Sequence, residues 1–101
     1  MMNVKHSRKE DARPLDVLLP GMKVAKVWVG EGNRLEAFEV KEPMFRNIVR
    51  IEVGKDGSIT KAVDTLSGNV DGKLASELHR QVKEVMRGLG DDGIRLAREK
   101  R

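Results

Sequence analysis

The sequence contains no cysteine and no tyrosine. Without cysteine there is no disulfide, no thiolate nucleophile and no cysteine-ligated zinc. Histidine is down to His6 and His79. Neither has a second histidine at four-residue spacing, so a metal site would need carboxylates gathered from distant parts of the chain. The aromatics are Trp28, Phe38 and Phe45 alone. Apolar runs are short: Val17-Leu18-Leu19 and Val27-Trp28-Val29 are the longest, and a bilayer-spanning helix needs about 20 apolar residues. The first residues carry no apolar stretch of the signal-peptide kind. The expectation is a cytoplasmic chain with no membrane partner.

Catalytic signatures are missing as well. Gly30-Glu31-Gly32 lacks the third glycine and the following helix of a dinucleotide loop, and there is no Walker A run and no nucleophile elbow. Lys55-Asp56-Gly57-Ser58 shares only its Asp-Gly with a calcium loop; a hairpin turn explains it. Asp91-Asp92 follows a glycine and opens a short helical segment, where acidic residues cap and complement the dipole rather than hold magnesium. Ser58, Ser67 and Ser76 have no base implied beside them. No catalytic residue, cofactor or metal is expected, and an enzyme of unrecognised chemistry stands as a third alternative.

What is present is charge. Charged residues are 36% of 101, with 20 Lys plus Arg against 16 Asp plus Glu. The excess sits at the ends. Lys5, Arg8, Lys9 and Arg13 against Glu10 and Asp11 leave +2 in residues 1–13. Arg95, Arg98, Lys100 and Arg101 against Glu99 leave +3 in residues 95–101, so residues 14–94 carry −1. The reading is a flexible basic arm over 1–13, one domain over 14–94 and a basic tail over 95–101.

Within the domain, Pro14 and Pro20 bracket an apolar patch that can be an edge strand or an extended lid, but not a helix interior or central strand. Two hairpins follow, over about 23–41 and 45–66. Gly30-Glu31-Gly32-Asn33 and Gly54-Lys55-Asp56-Gly57 supply the turns. Val24–Gly30 superposes on Ile48–Gly54 at an offset of 24 residues. This places Ala25, Val27 and Val29 on the core face, as period two places Val49, Ile51 and Val53. Leu74, Leu78, Val82, Val85 and Leu89 recur at helical spacing, which predicts a helix over about 71–88 with Asp71 as N-cap. A short second helix runs over about 94–100. The fold class is therefore α+β: a four-stranded antiparallel sheet with a C-terminal helix on one face. Four strands followed by a helix is similar to the order in whirly-type single-strand DNA-binding domains, a likeness of element order.

The second sheet face carries the functional expectation. Register places Lys26, Trp28, Arg46 and Arg50 together, where bases could stack on the indole and phosphates meet the cations. The bland alternative has Trp28 packed under the 14–20 segment or against a second subunit. Arg95, Arg98, Lys100 and Arg101 can meet phosphate or an acidic protein, or simply solvate the chain end. One helix covers one face only, so a homo-oligomer is expected, with Leu78, Val82 and Val85 as a candidate dimer surface. The leading expectation is a dimeric, non-enzymatic module that contacts nucleic acid, single-stranded by preference, through its arms and the Lys/Trp/Arg face. The alternative is an accessory subunit that docks on a larger partner through the sheet edge or residues 14–20.

Overall fold

Five strands in chain order form one antiparallel sheet: β1 (Leu15–Leu19), β2 (Lys23–Val29), β3 (Leu35–Lys41), β4 (Ile48–Val53) and β5 (Ile59–Asp64). One helix follows, α1 (Gly72–Glu99). The computed structural model describes residues 14–42 and 46–99, without the side chains of Arg98 and Glu99. The predicted arm over 1–13, Lys100 and Arg101 lie outside the described residues, as does Phe45.

The α+β class and the C-terminal helix hold; the strand count does not. The patch between the prolines is an edge strand that extends the sheet to five, Leu15 pairing Val27 and Leu19 pairing Lys23. An edge needs backbone hydrogen bonds on one side only, so a strand bounded by Pro14 and Pro20 is tolerated there. The chain reverses through Gly21 (φ 84°) and Met22 (φ 63°). Glycine takes this backbone freely; Met22 takes it as an exposed turn residue.

Strand β4 begins at Ile48, three residues later than the periodicity suggests, and Arg46 and Asn47 precede it as irregular chain. Strand β5 stops at Asp64 because that residue turns the backbone. Its carboxylate accepts the amide N–H groups of Leu66 (2.8 Å) and Ser67 (3.2 Å) and the Asn47 side-chain amide (2.6 Å). Those same donors, Leu66 first, hold the Asp64 carboxyl below the usual range. The Asp56 carboxylate accepts from the Ser58 hydroxyl and amide and is lowered likewise, which pins the second hairpin turn.

Helix α1 starts as the sequence suggests. Asp71 caps it, its Oδ1 accepting the Lys73 amide at 3.4 Å and its carbonyl the Ala75 amide at 2.9 Å. At Gly90 the backbone leaves helical geometry (φ 70°, ψ 175°). The expected break between two helical segments is therefore a kink at one glycine rather than a loop.

The core lies between α1 and one sheet face. Leu15, Val27, Phe38, Ile51, Leu78 and Val82 are its largest fully buried side chains, each contributing about 1.5–3 kcal/mol by leaving water. Ala25, Val27 and Val29 face it, as the hairpin alignment indicates. The helix is rotated slightly from the predicted stripe. Ala75, Leu78, His79 and Val82 are buried, whereas Leu74 and Leu89 are 39% and 37% exposed. His79 is thus a core histidine, stacked on Phe38 with ring centroids 6.1 Å apart and planes 20° from parallel. Burial pushes its pKa down, and neighbouring Lys83 adds to the effect.

Candidate functional site: the sheet face opposite the helix

Side chains alternate across a strand, so every residue between the core positions points away from α1. The antiparallel register aligns these residues into three rows. In the central row Asp16 pairs Lys26, Lys26 pairs Glu39, Glu39 pairs Arg50 and Arg50 pairs Val63. On one side Trp28, Ala37, Glu52 and Lys61 are successive neighbours. On the other side Leu18, Val24, Lys41 and Ile48 are. Leu18 and Val24 are 64% and 48% exposed.

The central row alternates in sign, and the charges meet. Lys26 Nζ lies 3.7 Å from Asp16. Arg50 bridges two carboxylates, with Nη1 2.7 Å from Glu39 and Nε 3.4 Å from Glu52. Its guanidinium also sits over the Trp28 ring, 5.2 Å from the centroid. A planar guanidinium suits this arrangement, donating through its edge while its face covers the indole.

The register therefore brings Lys26, Trp28 and Arg50 onto one face, together with Asp16, Glu39 and Glu52, whose part the sequence reading left open or missed. Arg46 is exposed but precedes β4 and belongs to no row of the ladder. Arg95 lies on α1, beyond the opposite sheet face, and is 3.4 Å from Asp92. The Arg98 side chain, Lys100 and Arg101 lie outside the described residues. Leu78 and Val82, proposed from sequence as a dimer surface, are 2% and 0% exposed inside the core, and Val85 packs partly buried against it. Within this fold those three side chains are occupied by the sheet.

A concavity of about 480 Å³ lies where the turn at Gly32 and Asn33 meets the α1 kink. Leu35, Met86 and Ile94 line it, with Lys83 and Arg87 beside them. Asn33 Nδ2 donates to Asp91 Oδ1 across it at 3.2 Å. Among the described residues no three His, Asp or Glu side chains gather where a metal ion could be held. No helix among them is long and apolar enough to cross a membrane.

The fold and this face define a sheet-and-helix module with one helix-covered face and one patterned, amphipathic face. No family model, no curated protein and no solved structure matches the chain.

Proposed function

We propose that the chain is a non-enzymatic binding module that meets a protein surface through the sheet face opposite α1. One observation supports this above the rest: each cation of the central row sits against a carboxylate. Arg50 is held between Glu39 and Glu52, and Lys26 lies against Asp16. A polyanion groove needs cations in excess of their own anions. A face of exposed Leu18 and Val24, a Trp and a central row of matched charges suits a protein partner better, because apolar area supplies affinity and the charge pattern supplies register.

The test is a low-salt titration with single-stranded oligonucleotide, read on Trp28, the sole tryptophan. Unchanged fluorescence is expected. A quench that Arg50→Ala removes would place bases on the indole and overturn the reading.

A second reading concerns the chain ends, which hold +2 and +3 while the residues between carry −1. In this reading the end segments make salt-sensitive contacts with nucleic acid, independently of the sheet face. Deleting residues 1–13 and 95–101 should then abolish oligonucleotide binding, and retained affinity would refute it.

A further inference from the structure

The central row of the open face has a property that its residues do not have singly. Read from β1 to β4 it is Asp16, Lys26, Glu39, Arg50, that is minus, plus, minus, plus. Read backwards it is plus, minus, plus, minus. The row is thus complementary to its own reverse.

We infer that the occupant of this face is a second copy of the chain, packed sheet to sheet about a twofold axis that runs parallel to the strands, between β2 and β3. The inference rests on the reading of this face as a protein-docking surface. Rotation about that axis reverses the strand order and keeps the level along the strands. β1 then lies over the partner copy's β4, and β2 over its β3. All four central contacts join opposite charges: Asp16 with Arg50 twice, and Lys26 with Glu39 twice. In the adjoining row Leu18 meets Ile48, apolar on apolar.

The charge order also rejects the neighbouring arrangements. An axis perpendicular to the strands, through the central row, lays each strand on its own copy, and every charge faces itself. An axis along β2 puts Asp16 over Glu39. An axis along β3 puts Lys26 over Arg50. Like charges opposed across an interface are penalised, so each of these is disfavoured. An axis between β1 and β2 overlaps only those two strands, and one between β3 and β4 overlaps four but matches only Glu39 with Arg50 and sets Lys26 on Val63 of β5.

Two sheets packed face to face keep their strands within about 30° of each other, which is compatible with this geometry. Four overlapping strands with strand spacing near 4.8 Å and about 3.4 Å per residue give a contact about 20 Å on each side. That lies at the small end for specific interfaces, so the dimer should dissociate in the micromolar range rather than be obligate.

The test is sedimentation equilibrium of the full chain over a concentration series. The wild type should reach twice the chain mass. Lys26→Glu would oppose Glu39 with a second carboxylate, and Glu39→Lys would oppose Lys26 with a second ammonium, so each variant should be monomeric alone. Mixed one to one they should dimerise, because in the heterodimer both altered contacts become opposite-signed. Restoration on mixing is a result that damaged folding cannot produce. Leu18→Asp changes a side chain already 64% exposed, so it should leave the fold intact, checked by circular dichroism, and remove the dimer.

A wild type that stays monomeric at the highest concentration overturns the inference, as does a dimer indifferent to Leu18→Asp or a mixture that stays monomeric. Those outcomes leave the protein-docking reading standing with another occupant. That reading falls separately, by oligonucleotide quenching of Trp28.

Discussion

Replacing Arg50 by alanine separates two roles that the same residue could have. If Arg50 is part of the sheet, its loss costs stability; if it stands ready for phosphate, its loss costs binding and little else. The structure gives the expected size. Two ion pairs are lost, to Glu39 at 2.7 Å and to Glu52 at 3.4 Å, between side chains that are 29–42% exposed. Half-exposed pairs contribute about 0.2–1 kcal/mol each. The guanidinium over Trp28, at 5.2 Å, adds about 0.5–1 kcal/mol. Glu39 and Glu52 also lose the cation between them. The sum is about 1–3 kcal/mol, or a fall in Tm of at least about 4 °C for a domain of this size. The assay is urea unfolding, followed by circular dichroism and by Trp28 fluorescence. It is run in the Leu18→Asp background, so that association does not enter. A cycle with Trp28→Phe should show coupling between the two residues, and Arg50→Lys should recover only part of the loss, because an ammonium cannot serve two carboxylates and a ring face together. An Arg50→Ala protein within about 0.3 kcal/mol of its parent, inside the scatter of ordinary surface substitutions, would refute the network and return Arg50 to the candidates for phosphate contact.

Three further outcomes are expected. His79 has a folded-state pKa lowered by burial and then by Lys83, so below the unfolded value of about 6.5 the unfolded chain binds the proton more readily. Stability should fall as pH drops from there toward the folded pKa, with a slope of at most about 1.4 kcal/mol per pH unit for one proton. His79→Leu should flatten the profile above the carboxylate range, and an unchanged profile would contradict a buried, neutral imidazole. Phe38→Ala, at a side chain with 0% exposure in the middle strand, should cost about 3–5 kcal/mol in urea unfolding; a loss under 1 kcal/mol would show that this ring is not the centre of the core. Gln81 Oε1 is buried without a hydrogen-bond partner, so Gln81→Met should raise the urea midpoint despite the lost 3.1 Å bond from Nε2 to Glu77, since an unsatisfied buried acceptor costs about 1–3 kcal/mol. A lowered midpoint would mean the Glu77 bond outweighs the orphaned oxygen.

Much of the fold is legible residue by residue. The bounds of β2 and β3 follow from a β-rich run broken by Gly30 and closed before Pro43, and the sides of β2 and β4 follow from period two. The Asp71 cap and the break near Gly90 follow from local backbone chemistry. The edges were harder to read. The Pro14–Pro20 segment offered a strand or a lid, and the choice depended on whether β2 had a free edge to pair. β5 ends at Asp64 and not at Leu66 because the Asp64 carboxylate captures the Leu66 and Ser67 amides, a turn also braced by Asn47, 17 positions away. The predicted stripe runs through Leu74 and Leu89, but the sheet selects a slightly rotated helix face that contains the His79 imidazole.

The sequence by itself determined the alternation in each strand, the turn positions, the helix and the confinement of net charge to the chain ends, because these depend on near neighbours and on composition. The tertiary structure decided how the strands stand beside one another. Lys26 and Arg50 were visible as cations on one face, but only register set Asp16 and Glu39 between and beside them, and so turned an apparent basic patch into an alternating row. Register is a relation among four strands and the turns that join them, fixed by which apolar set the helix buries. The meaning of the open face lies in that relation, and no single strand contains it.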